Sequence, residues 1–173
     1  MSEFFRYNVK KGSKTVTIGE EIELVDKYIY ILNVRFSGDI KYEKEVDESL
    51  FNVKMPSMIL QPIVENSVNH GIRDILGEGR IRVRVYEEDG KACISVEDNG
   101  AGMTEETIKE LMTGMPVSSD KKGSGGIGMD NVIARLKLFS ESDDIIRIES
   151  EGIGKGSKIT IFFDPGTRET SDV

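Results

Sequence analysis

The chain has 173 residues, 31 Asp and Glu against 23 Lys and Arg, one His, one Cys, no Trp and 18 Gly. Its length suits one domain, or one domain with a short appendage, burying roughly 70% of the surface its unfolded chain exposes. A net charge of -8 with no basic stripe excludes a nucleic-acid or anionic-membrane surface, because both polyanions recruit clustered Lys and Arg.

Cys93 has no partner for an internal disulfide, and one Cys with one His cannot build a structural zinc site, so a reducing compartment is expected. From Met1 to Ile18 there is no apolar run of signal-peptide or membrane-span length. Thr17-Ile18-Gly19-Glu20 matches a capping box, and Ile22, Val25, Tyr28, Ile29, Leu32 and Phe36 follow at helical spacing until Gly38. Ile40, Tyr42 and Val46 alternate with charged residues as an edge strand does. Pro56 suits the first turn of a second helix that runs to about Gly71.

Ile81, Val83 and Val85 alternate with Arg80, Arg82 and Arg84, and Ala92, Ile94 and Val96 follow Asp89-Gly90. That pattern predicts a two-residue β-hairpin. A short helix is expected after Thr104, capped in part through Thr107, followed by a loop between Thr113 and Gly126. Ile127, Val132, Leu136 and Phe139 mark a third long helix. Two strands, Ile145 to Ser150 and Ser157 to Phe163, are joined by the Gly152 to Gly156 turn, and the tail from Pro165 reads as disordered. Strands with one charged and one apolar face are covered on one side, so the fold class is a two-layer α/β sandwich rather than a doubly wound sheet. The segment before about Gly38 has no strand partner of its own and reads as an appendage.

Three places carry chemistry. On the second helix Ile59, Ile63, Asn66 and Asn69 or His70 share a face, so amides continue an apolar stripe: either the helix end meets solvent or it faces a polar ligand. In the strand from Ala92 the inward phase ends on Asp98, followed by Asn99-Gly100-Ala101-Gly102. An inward carboxylate needs donors, such as the exocyclic amine of a purine, while Asp-Asn-Gly is equally ordinary turn chemistry. Finally, five glycines fall at Gly114 and from Gly123 to Gly128, the last four opening a helix. Such a run is either a flexible linker or a phosphate cradle at a helix N-terminus, and with no Gly-Lys-Ser/Thr after it, it is not a Walker loop.

Taken together, Leu60-Gln61-Pro62-Ile63-Val64-Glu65-Asn66-Ser67-Val68-Asn69-His70-Gly71, Asp98-Asn99-Gly100-Ala101-Gly102-Met103 and Gly126-Ile127-Gly128-Met129-Asp130-Asn131-Val132 resemble the N, G1 and G2 boxes of the Bergerat-type ATP-binding superfamily. The nearest likeness is to the catalytic domain of sensor histidine kinases of the LytS/YesM type, and it covers residues 2–164. The resemblance implies a mixed, mostly antiparallel sheet with helices on one face. It implies that Asn66 coordinates a magnesium ion on the ATP phosphates, that Asn69 takes a phosphate-facing position with His70 beside it, and that Asp98 accepts from the adenine amine. Gly100 and Gly102 would let the chain pass the base, Met103 to Gly125 would form a lid, and Gly125, Gly126, Ile127, Gly128 and Met129 would close on the phosphates. Thr160 would lie near the base.

Two positions depart from the superfamily pattern: Ser124 stands at the first G2 glycine, and Pro62 stands where topoisomerase-like ATPases carry a water-activating glutamate. Pro62 cannot act as a base, so transfer to an acceptor is expected over direct hydrolysis, with Glu65 adjacent as a partial substitute. His70, the only histidine, lies in the N box and not in an acceptor context. The expected protein is therefore an ATP- and magnesium-dependent catalytic domain whose acceptor histidine is elsewhere. Residues 1–18 would be the end of a dimerisation and phosphotransfer helix region, 19–164 the catalytic domain and 165–173 a tail. The implied partners are that acceptor domain, a response regulator and a second copy in a homodimer, on the cytoplasmic side of a membrane-anchored parent. The alternatives are a nucleotide-dependent interaction module without catalysis and a stand-alone ATPase.

Overall fold

The computed structural model describes residues 15–35, 40–72, 77–114, 127–140 and 142–167. At its start Thr17 and Glu20 close the expected capping box: the Glu20 amide donates to Thr17 Oγ1 at 3.2 Å and the Thr17 amide to Glu20 Oε2 at 2.8 Å. Two amides that the helix cannot satisfy itself are thus paired. Helix α1 (Ile18–Arg35) then turns Ile22, Val25 and Ile29 into the core; the expected continuation to Phe36 and Gly38 lies outside the described residues.

This helix is not an appendage. Strand β1 (Thr15–Thr17) pairs antiparallel with β3 (Lys54–Pro56), and α1 packs against α2 (Leu60–Asn66) in one continuous core. Periodicity exposed the apolar stripe of α1 but not its partner, which comes from nearly 40 residues downstream. Pro56 accordingly ends a strand instead of opening a helix. Helix α2 begins at Leu60 with Pro62 in its first turn, where a missing N–H leaves nothing unpaired. Its start is set by tertiary structure: the Glu21 carboxylate, 1% exposed, accepts from the amides of Met58 at 2.7 Å and of Ile59 and Leu60 at 2.9 Å. Met58 has φ 57, a left-handed conformation costing roughly 1–2 kcal/mol for such a residue.

The main sheet has the order β2-β4-β5-β7-β6, formed by β2 (Ile40–Val46), β4 (Gly79–Glu88), β5 (Lys91–Asp98), β6 (Ile146–Glu149) and β7 (Ser157–Phe163). Only β2 and β4 run parallel. The β4–β5 hairpin turns on Asp89 and Gly90, both with positive φ as a two-residue primed turn requires. Val83, Val96 and Ile159 form one inward row and Val85, Ile94 and Ile161 the next, covered by α1, α2, α3 (Glu105–Thr113) and α4 (Ile127–Ser140). The other face is polar: Arg82 meets Glu43 at 2.8 Å and Arg84 meets Glu45 at 3.0 Å. This is the expected two-layer sandwich with a mixed, mostly antiparallel sheet.

Thr104 caps α3 through its Oγ1, which accepts the Thr107 amide at 3.1 Å, and Gly114 ends it in a left-handed conformation. Gly114 is thus a helix terminator and not part of a free glycine run. Pro165–Thr167 forms a single 3-10 turn where a disordered tail was expected to begin. Among the described residues no helix is long and apolar enough to cross a membrane.

Candidate functional site

At one end of the inward rows the apolar sequence stops. Register places Ile81, Asp98 and Ser157 side by side, so the strand alternation that buries Ile94 and Val96 also buries Asp98, which is 6% exposed. Asp98 Oδ1 accepts the Gly100 amide at 2.9 Å and Oδ2 accepts the Ser157 hydroxyl at 2.7 Å. The carboxylate is therefore held by two neutral donors, each oxygen keeping a lone pair for a ligand. The turn reading and the site reading of Asp98-Asn99-Gly100 are both realised. Asn99 serves the turn, taking the Arg80 amide at 2.7 Å and donating to the Glu78 carbonyl at 2.9 Å.

The loop after Asp98 is braced by the β6–β7 turn. The Gly154 amide donates to Ala101 O at 2.7 Å, the Gly156 amide to Gly100 O at 3.1 Å, and the Met103 amide to Ser150 Oγ at 3.0 Å. A Cβ on Gly102, with φ +70, would stand 2.1 Å from the Gly152 carbonyl, and one on Gly156 2.1 Å from the Asp98 carbonyl. These glycines permit contact between two loops. Gly100 is buried within the brace and does not line the cavity described next.

Beside Asp98 lies a cavity of about 270 Å³. From α2 and its continuation it takes Asn66, Ser67 and His70; from β5, β7 and the loops, Asp98, Gly102, Met103, Ile153 and Ser157; from α3 and α4, Thr107, Leu111 and Met129. Past Asn66 the helix widens into a π-helix, Ser67–Ile72, a local form that recurs at functional sites. The Asn66 amide has no side-chain partner among the described residues, and no group of three His, Cys, Asp or Glu there could cage a metal ion. One amide oxygen suits a magnesium ion held mainly by phosphates and water, which needs one or two protein ligands.

Of the expected residues, Asn66, His70, Asp98, Gly102, Met103 and Met129 converge on the cavity. Besides Gly100, four others do not. Asn69 is exposed and does not line the cavity; Glu65 accepts Gln61 Nε2 at 2.9 Å and points along its own helix; Gly128 is exposed with open space at its Cβ. Thr160 is set apart by the pleat: Ser157, Ile159, Ile161 and Phe163 face the core, so Thr160 pairs with Ser95 on the opposite face. Gly125 and Gly126 lie outside the described residues, as does the Ile127 side chain. Ser157, Thr107, Leu111 and Ile153 were missed. The first was legible, being in phase with Ile159 and Ile161, and Thr107 and Leu111 are four apart on one helix face; nothing in the sequence marked Ile153.

Comparison with known proteins gives this geometry a setting. Residues 53–167 match the family model described as histidine kinase-, DNA gyrase B-, and HSP90-like ATPase, and residues 1–40 match one described as histidine kinase. The sensor protein LytS of Oceanobacillus iheyensis is 29% identical over 160 residues, 92% of this chain and 27% of that protein. Sensor histidine kinase BtsS of Escherichia coli is 33% identical over 137 residues, 79% of this chain and 22% of that protein. The chain thus spans about a quarter of the length of the curated relatives it matches. In fold it is similar to the catalytic domain of histidine kinase ThkA, with a TM-score of 0.63 at 16% identity over 88% of this chain and 96% of that one.

Proposed function

The chain belongs to the histidine kinase-, DNA gyrase B-, and HSP90-like ATPase family, and from that membership we propose that it is the ATP-binding catalytic domain of a sensor histidine kinase. It binds ATP with magnesium and passes the γ-phosphoryl to a histidine other than His70. The observation that carries this reading is the buried Asp98 lining a cavity that Asn66 and His70 also line.

Asp98 has acceptor capacity to spare and, among the described residues, no cation bonded to it, which suits a purine amine. Met103, Leu111, Met129 and Ile153 offer apolar surface to the ring. Asn66 would hold a magnesium ion through its amide oxygen, and that ion would neutralise charge on the phosphates. His70 stands at the same end and orients them. The γ-phosphorus accepts an imidazole nitrogen of the acceptor, the bond to the bridging oxygen breaks and ADP leaves. Catalysis in this chain is a matter of positioning and electrostatics.

Hydrolysis by this chain alone is disfavoured by two observations. Pro62 occupies the position of the water-activating glutamate, and Glu65 is bonded to Gln61 away from the cavity. The remaining parts of the reading are an acceptor-helix domain and a response regulator as partners, a homodimer, and a cytoplasmic location in a membrane-anchored parent. The test is incubation with radiolabelled ATP and a separate acceptor-helix fragment. Acid-labile phosphohistidine on the fragment is expected; steady phosphate release without an acceptor and no transfer would replace the reading with a stand-alone ATPase.

A further inference from the structure

The three-residue link into α2 is gripped from two sides. Glu21, in the first turn of α1, takes the amides of Met58, Ile59 and Leu60. From α4, Arg135 donates Nη1 to the Met58 carbonyl at 3.1 Å and Nη2 to the Ser57 carbonyl. The carboxylate holds the N–H groups and the guanidinium holds the C=O groups of one short segment, whose Met58 sits in the left-handed region. A carboxylate buried this deeply is a poor way to gain stability. It is an effective way to fix three amides to within hydrogen-bond tolerance.

The consequence is geometric. The link is the near end of α2, and the far end of that helix with its π-helical continuation presents Asn66 and His70 to the cavity; α4, which carries Arg135, also carries Met129 into the same cavity. The base end, Asp98 with Ser157, is built on β5 and β7 and is touched by neither grip. We infer that Glu21 and Arg135 are positioning residues: acting on one link, they set the axial position of α2 and so the reach of Asn66 and His70 toward the phosphate end of a nucleotide anchored at Asp98. This rests on the nucleotide reading above.

The test uses the whole chain and two ligands, Mg-ADP and adenosine, titrated calorimetrically at a temperature where each variant is folded by circular dichroism. Glu21→Gln keeps the side chain's shape but turns a donor toward backbone N–H groups, while Arg135→Met keeps the stem and removes both donors. Each is expected to weaken Mg-ADP about ten-fold, the scale of one charge-assisted hydrogen bond, and to leave adenosine within about two-fold. The double variant loses little more than the worse single one, since both act on one joint, and Arg135→Lys recovers part of the Mg-ADP affinity. Equal losses for both ligands, or none for either in a folded variant, overturn the positioning role. Should Glu21→Gln fail to fold, Arg135→Met, whose side chain is only half-buried, decides the matter. A wild-type chain that binds neither ligand refutes the nucleotide reading itself; wild-type binding with indifferent variants refutes the clamp alone.

Discussion

Asp98 and Ser157 are register partners across β5 and β7, and the Ser157 hydroxyl donates to Asp98 Oδ2 at 2.7 Å. With the Gly100 amide on Oδ1, this bond holds a buried carboxylate in one orientation without neutralising it. Asp98→Ala is expected to abolish ADP binding while the fold survives. It leaves the Gly100 and Ser157 donors unpaired, at a cost of about 1–3 kcal/mol. Unchanged ADP affinity by calorimetry would remove Asp98 from the site.

The strand phase separates two hydroxyls three residues apart. Ser157→Ala is expected to weaken ADP about ten-fold, through loss of the orienting bond. Thr160→Val, on the other face, leaves ADP affinity unchanged. The reverse order in a binding titration would mean that the base is not held on the inward face of β7.

On the proposed reading, Asn66 is expected to discriminate the two ends of the ligand. Asn66→Ala is expected to reduce ATP affinity in the presence of magnesium far more than adenosine affinity, since only the former uses its amide oxygen. Parallel losses would refute a metal role and make Asn66 a part of the base pocket.

The glycines divide by what surrounds them. Gly102→Ala places a methyl group against the Gly152 carbonyl and keeps a left-handed φ, so a loss of about 3 kcal/mol or more is expected, read as a fall in Tm. Gly128→Ala meets nothing within 4 Å and lies in α4, where it gains about 0.5–1 kcal/mol from helix propensity. If the nucleotide passes close to Gly128, the same variant is more stable yet binds ATP more weakly. Greater stability with unchanged binding would show that the phosphates lie elsewhere.

Alkaline pH is expected to erode stability through a buried thiol and a half-buried phenol. Burial, with Glu88 adding to it, pushes the Cys93 thiol up, and burial together with a hydrogen bond to Asp26 pushes the Tyr42 phenol up. The unfolded chain then loses these protons first, so stability declines as pH rises past the ordinary thiol value of about 8.5 and again past about 10. Denaturant titrations between pH 7 and 11 check this, and Tyr42→Phe should flatten the upper part of the decline. Alkylation of Cys93 should track unfolding; fast alkylation of the folded chain would contradict its burial.

Local signals were legible wherever neighbours in sequence are also neighbours in space. The Thr17 and Glu20 capping box, the Asp89-Gly90 hairpin, the Thr104 cap and the inward phase ending at Asp98 all stand as the residues imply, because each rests on contacts within a turn or on the pleat of one strand. The same pleat also marked Ser157, in phase with Ile159 and Ile161, and set Thr160 on the other face. Pro56 misled for a different reason: a proline satisfies a strand end as readily as a helix start, and the choice fell to Glu21, more than thirty residues away.

By itself the sequence determined the two-layer architecture, since one-sided strand alternation demands cover on one face only, and it determined the three boxes from which the family could be named. Only the tertiary structure decided where α2 begins, that the helix before residue 36 belongs to the core, and which of the candidate residues meet. These depend on a buried carboxylate, a strand pair and a braced turn joining segments distant in the chain, and the free energy of such contacts resides in closure between segments that no local pattern encodes.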